Sequence, residues 1–282
     1  TSGIGRHVAT LLCSEYSVVI CLNRSTASSP PVEEAALEHN PDVRVHNEHC
    51  DLADFASVHK AATRVARIVD SIPNATLCLL CCNAATFMDA DRPTVDGYDV
   101  QMQTNFLSHA LLSEMLYGHL KASIQAGQEA RVVFVSSVAR LFPSSPLDAN
   151  YLRRANQSPA STESGCRERI WLGGNGWWGR ATRYHMSKLA AVAYTMDRAR
   201  DRSETVKYVV ADPGIAITNL LREGSSNGMA SKLWWKAFFA LFGQTVPRAS
   251  ESVWMACTSD TVRSGDVVCP SYVTWGKPCH AL

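Results

Sequence analysis

The stretch that decides the fold runs from residue 76 to residue 136. It opens with Thr76-Leu77-Cys78-Leu79-Leu80-Cys81-Cys82, a nearly unbroken apolar run of strand length. It closes with a second such run, Arg131-Val132-Val133-Phe134-Val135-Ser136. Residues 100–126, between them, carry a helical pattern. Continuous rather than alternating apolar runs mark parallel strands covered on both faces. Parallel neighbours need a long crossover, and a helix is the usual one. The same rhythm continues outward. Residues 17–22, 43–47, 206–211 and 266–269 are further strand candidates, and 6–15, 55–71 and 184–202 further helices. Strand and helix in alternation predict an α/β fold with a doubly wound parallel sheet in three layers.

Composition agrees with one globular unit over residues 1–282. Of these 282 residues 46% are hydrophobic and 19% charged, which excludes a disordered chain. Lys plus Arg number 27 against 26 Asp plus Glu. That balance lacks the basic excess of a nucleic-acid binder, so no such partner is expected. Ten cysteines are spread along the chain, several inside apolar runs. Reduced thiols and an intracellular reducing compartment follow, in cytoplasm or in an organelle such as a plastid, a mitochondrion or the ER surface. Cys78 and Cys81 form a C-x-x-C, but positions three apart on a strand face opposite ways, and no metal site is expected. No apolar stretch reaches the ~20 residues of a membrane span.

Two stretches break the rhythm. Residues 138–183 read as an irregular insertion with Pro143, Pro146 and Pro159, then a Gly-rich run holding Trp171, Trp177 and Trp178. Long irregular loops are commonly functional. Residues 222–250 read as a substrate-side helical segment bearing Trp234, Trp235, Phe238, Phe239 and Phe242. These Trp/Phe-rich segments suit an apolar substrate, a membrane surface or a large-complex partner.

Residues that carry chemistry fall in order between the elements. Thr1-Ser2-Gly3-Ile4-Gly5-Arg6 places two glycines at the opening of a helix. Glycine lets backbone approach a pyrophosphate, and the helix N-terminus offers N–H groups to it. Asn23-Arg24-Ser25 ends one strand and Asp51-Leu52 follows the next. Asn83-Ala84-Ala85 ends the 76–82 run, Asn105 lies in the 100–126 helix, and Ser136-Ser137 ends the second run. Tyr184-His185-Met186-Ser187-Lys188 then puts Tyr and Lys one helical turn apart, and Asp212-Pro213-Gly214 precedes Thr218.

This ordered set resembles the short-chain dehydrogenase/reductase family over nearly the whole chain, in the flavour of its retinol dehydrogenase and light-dependent protochlorophyllide reductase branches. The resemblance implies a Rossmann-like fold and a nicotinamide cofactor held by Ser2, Gly3, Ile4, Gly5, Asn23, Arg24, Ser25, Asp51, Leu52, Asn83, Ala84, Ala85, Tyr184, Lys188, Pro213, Gly214 and Thr218. It implies Asn105, Ser137, Tyr184 and Lys188 as the catalytic set. Tyr184 would exchange a proton with a substrate oxygen. Lys188 would favour its phenolate and hold the nicotinamide ribose. Ser137 would hydrogen-bond the substrate oxygen, and Asn105 would hold a water that links Lys188 to solvent. It further implies homo-oligomers built on helices 100–126 and 184–202.

The run Cys21-Leu22-Asn23-Arg24-Ser25 lacks the acidic residue that binds a ribose diol. Arg24 and Ser25 suit a 2′-phosphate, so NADP(H) is expected over NAD(H). The family's first strand and first glycine have no counterpart, because the chain starts inside the glycine motif. The first strand is therefore expected to be missing from this sequence. Two functions follow. One is an NADP-dependent oxidoreductase acting on a carbonyl or alcohol of a bulky apolar molecule, retinoid-, steroid- or pigment-like. The other is a catalytically retired, dehydrogenase-like structural subunit of a larger, membrane-bound complex.

Overall fold

A computed structural model describes residues 3–25, 32, 34–35, 40–142, 146–154, 172–200, 206–216, 243–272 and 276–281. Ser2, Trp171, Thr218 and the aromatic run 233–242 lie outside the described residues. The chain begins with α1 (Gly3–Leu12), β1 (Val18–Asn23) and β2 (Arg44–His49), then α2 (Phe55–Ser71) and β3 (Leu79–Cys82). Next come α3 (Val100–Met102), a π-helical turn over Gln103–Leu107, α4 (Ser108–Gln125) and β4 (Arg131–Val135). The last elements are α5 (Trp177–Arg200), β5 (Lys207–Ala211), α6 (Val246–Thr258), β6 (Val267–Pro270) and β7 (Pro278–Ala281).

Strands β3, β4, β5 and β6 are neighbours in parallel, and β7 closes the edge antiparallel to β6. β1 and β2 form a separate parallel pair. All five residues of β4 are buried, and they alternate between two cores. Val132 and Phe134 pack with Met102, Leu120, Met186 and Ala190 from the α4 and α5 side. Val133 and Val135 pack with Val8, Leu12, Val253 and Ala256 from α1 and α6. Successive strand residues face opposite ways, so the central sheet has helices on both faces, as its continuous apolar runs predict. α2 is placed by its own sequence. Asp54 caps it, accepting the Ala56 N–H, and Ser57, Val58, Ala61, Ala62 and Val65 bury one stripe.

The facing edges of β1 and β3 both border one large cavity. Val18, Val19 and Ile20, like Leu79, Leu80 and Cys81, are only half-buried. The sheet is therefore in two pieces, with the break where the resemblance places the family's first strand.

Three expectations shift. The 100–126 helix is interrupted by the π turn. α5 starts at Trp177, so residues 177–183 of the expected irregular insertion 138–183 are helical, and Val138–Leu141 and Ala149–Leu152 make short 3-10 turns. β7 and α6 carry no strong sequence signal. β7 is four residues with a proline at its head, and α6 begins inside the stretch assigned to 222–250.

Candidate active site

A cavity of about 1900 Å³ runs along the facing edges of β1 and β3 and reaches the C-terminal ends of the strands. Gly3, Ile4 and Gly5 from the first turn of α1 line it, as do Asn23, Arg24 and Ser25 from the end of β1. Asp51 and Leu52, Asn83, Ala84 and Ala85, Ser137, Tyr184, Lys188, and Pro213 and Gly214 complete the set. The described residues expected to touch the cofactor thus meet on one surface. Asn105 does not line the cavity, and Ser2 and Thr218 lie outside the described residues.

Backbone geometry favours glycine at the start of α1. Gly3 has φ of 55°, the left-handed region in which a side chain is strained. A Cβ on Gly5 would collide with Asn83 Nδ2. The helix start therefore abuts the Asn83 side chain of the loop after β3. Gly214 (φ 70°) turns the chain after β5, and its N–H donates to Asp212 Oδ1 at 2.9 Å. Asp212 is buried and paired with Arg140.

Tyr184 and Lys188 lie on the buried face of α5, one turn apart. Tyr184 and Ser137 line the cavity together. Burial pushes the phenol up to about 12, and the neighbouring Ser137 hydroxyl acts against that rise. Lys188 Nζ donates to the Val135 carbonyl at 2.8 Å and sits 5.8 Å from the Tyr184 ring centroid. Burial brings its ammonium down to about 8. The expected depression of the phenol by Lys188 is thus outweighed by desolvation of both groups.

Asn105 holds the site from behind. Its Oδ1 accepts the Thr86 N–H at 2.7 Å, and its Nδ2 donates to the Thr86 carbonyl at 3.0 Å and to Ser187 Oγ at 2.9 Å. The amide therefore ties the loop after β3 to α5, and its direct partners do not include Lys188. It sits in the π turn, a feature common at functional sites.

Several contributors carry no family motif. His109 Nε2 bonds the Ala84 carbonyl at 2.8 Å. Burial lowers its imidazole to about 4, so it is neutral and acts as the donor that fixes this loop. Phe87 meets the Tyr184 ring edge-on at 4.7 Å. Phe142, Trp177 and Trp178 line the mouth and are exposed, with Trp178 at 78% and packed edge-on against Trp177 at 4.7 Å. Trp177 and Trp178 are read from the sequence as suiting an apolar substrate; Phe142, in the same 138–183 stretch, is not. On the cofactor side Arg24 and Ser25 are exposed at the rim. Asn23 is buried and donates from Nδ2 to Asn47 Oδ1 at 3.1 Å.

Among the described residues no three His, Cys, Asp or Glu side chains cluster as metal ligands, and no helix is long and apolar enough to cross a membrane. Residues 1–151 match the family model described as short chain dehydrogenase. The chain is 28% identical over 225 residues to the polyprenol dehydrogenase of Homo sapiens, covering 79% of this chain and 60% of that protein. It is 29% identical over 208 residues to retinol dehydrogenase 14 of Mus musculus, covering 73% and 54%. The chain thus spans about three fifths or less of the length of these two relatives. A crystal structure of levodione reductase superposes with a TM-score of 0.65 at 17% identity, covering 93% of this chain and 90% of the other.

Proposed function

The chain belongs to the short-chain dehydrogenase family, and from that premise we propose that it is an NADP-dependent oxidoreductase for a carbonyl or alcohol carbon of a bulky apolar substrate. The observation that carries this is the Ser137–Tyr184 hydroxyl pair on the wall of the cavity shared with the start of α1 and with Lys188.

The chain's own residues fit a dinucleotide. The left-handed Gly3 and the crowded Gly5 leave a helix start with no side chain in front of its N–H groups. Arg24 at the rim offers a planar guanidinium to a 2′-phosphate. When bound, the nicotinamide would supply or accept the hydride. Tyr184 holds the proton that balances it at the substrate oxygen. Ser137 donates to the same oxygen as negative charge develops there. Lys188 sits beneath the Tyr184 ring, so its ammonium stabilises the phenolate left after proton transfer. Phe87 packs against Tyr184, and Phe142, Trp177 and Trp178 surround the opening. That rim excludes water and suits an extended apolar molecule. The polyprenol and retinol of the relatives' names are such molecules.

Turnover of NADPH with retinal and with a polyprenal tests the reading. Tyr184→Phe should reduce turnover to background while NADPH binding stays within about twofold. Retained turnover would remove Tyr184 from the proton step.

A further inference from the structure

The last hairpin holds two thiols that the proposed reaction does not use. Cys269 of β6 stands directly opposite Cys279 of β7 in the antiparallel register. Both are free, and Cys279 is close enough to raise the Cys269 thiol further than burial alone does. Directly opposed residues of an antiparallel pair have Cα atoms about 4.5–5.5 Å apart. A disulfide spans roughly 4.4–6.8 Å between Cα atoms, so no backbone movement is needed to join them. β7 is the outer strand of its sheet. Cys279 is half-buried there and reachable by a reagent, with Cys269 buried behind it. Burial raises the Cys269 thiol above its ordinary value, and the Arg140 guanidinium acts against that rise.

We propose that Cys269 and Cys279 form a modification site for thiol–disulfide exchange, oxidised to an intramolecular disulfide by a small disulfide of the oxidised-glutathione class. The Cys279 thiolate attacks one sulfur of the small disulfide. That S–S bond breaks, one small thiolate leaves, and a mixed disulfide remains on Cys279. The Cys269 thiolate then attacks Cys279 Sγ and expels the second small thiolate. The small disulfide gains two electrons and the protein pair loses two. The two thiol protons end on the two small thiols.

A second pair in contact, Cys81 and Cys257, serves as the comparison. Cys257 is enclosed in the core with Val253 and Val209, and burial together with the Cys81 contact pushes its thiol well above the ordinary value. The Cys269–Cys279 pair also lies close to the cavity. Arg140 pairs with Asp212, whose carboxylate receives the Gly214 N–H.

The sequence makes the test direct. Trypsin does not cut before Pro278, so peptide 264–282 carries Cys269 and Cys279 and no other cysteine. The folded protein is equilibrated in glutathione buffers of increasing oxidised fraction, its free thiols are alkylated, and the digest is read by mass spectrometry. The expected result is peptide 264–282 lighter by two hydrogens and unalkylated, reverting with dithiothreitol. Cys269→Ser should instead trap one glutathione on Cys279, and Cys279→Ser should leave Cys269 alkylated. The proposal is overturned if both thiols remain alkylated in the most oxidising buffer. It is equally overturned if the disulfide maps to Cys81–Cys257 or joins two chains. None of these readings depends on oxidoreductase activity.

Discussion

Tyr184 and Lys188 meet the same burial with opposite chemical consequences. Taking a phenol out of water disfavours its anion, and taking an ammonium out of water disfavours its cation. Tyr184 therefore rises to about 12 and Lys188 falls to about 8, which drives apart two groups whose ordinary values, 10.0 and 10.5, nearly coincide and reverses their order. Lys188 has a consequence for stability that a solvent-exposed lysine lacks. Between pH 8 and 10.5 the unfolded chain holds a proton that the folded chain has released, so stability rises with pH across that window. Below pH 8 both states are protonated and the folded chain carries the full cost of the buried cation, roughly 3 kcal/mol. Lys188→Met removes this cost but leaves the Val135 carbonyl without its donor. The stability of wild type relative to Lys188→Met should therefore climb as pH goes from 8 to 10.5, measured as urea midpoints at several pH values. A pH-independent difference would mean that Lys188 keeps an ordinary affinity for its proton. Ser137 gives a second residue-scale prediction. Its hydroxyl acts on Tyr184 and, in the proposed reaction, donates to the substrate oxygen as that oxygen gains charge. Ser137→Ala should lower kcat by about 10²–10³-fold with NADPH affinity unchanged, as read by steady-state kinetics and fluorescence titration.

The start of α5 is held by a buried clamp whose loss would move Tyr184. Arg183, the residue before Tyr184, is fully buried. Its Nε lies 3.1 Å from Asp99 Oδ2 and its Nη1 3.7 Å from Asp91 Oδ2. Nη1 also donates to the carbonyls of Leu172 and Gly174, and Nη2 to that of Asp89. One guanidinium thus joins α5, the cap of α3 and the loop after β3. Burial raises Asp99 to about 6, while its cap bond from Met102 and the Arg183 charge restrain it. Arg183→Met would leave carboxylates buried without their cation, a loss of about 3–5 kcal/mol. The deficit should shrink below pH 6, where Asp99 takes a proton and no longer needs the cation; denaturant melts at pH 7 and pH 5 give the comparison. This clamp was not legible in the sequence, because Arg183 and Asp99 are distant and neither belongs to a periodic pattern. What was legible had a local cause. β4 reads from its own apolar run, α2 from its cap and stripe, and the order of Gly5, Asn83, Ser137, Tyr184 and Lys188 from the alternation of elements. The π turn was hidden, since its residues continue the helical pattern on both sides. β7 was hidden because its pairing with β6, rather than any apolar run, makes it a strand. The bonds from Asn105 to Thr86 and Ser187 were hidden for the same reason: spacing places a residue on an element, and only packing chooses its partners.

At the scale of the molecule the cavity lies between two sheets of unequal support. β4 and β5 are buried on both faces, whereas β1 and β2 form an isolated two-stranded pair backed by the small cluster of Cys13, Cys21, Val32 and Val43. A ligand that touches Arg24 and Asp51 on one side and Gly5, Asn83 and Ser137 on the other would bridge the two sheets. Binding to the folded chain alone stabilises it by about 2.7 kcal/mol at 100 times Kd. For a chain of this size that is a rise in Tm of roughly 5 °C, with exchange in β1 and β2 slowed more than elsewhere. The 2′-phosphate is what separates NADPH from NADH, and Arg24 is the exposed cation at that rim. NADPH should therefore raise Tm more than NADH at equal concentration, and Arg24→Ala should bring the two shifts together. Equal shifts in the wild type would take the 2′-phosphate away from Arg24. No shift with either cofactor would mean that the cavity does not hold a dinucleotide, and the proposed hydride chemistry would fall with it.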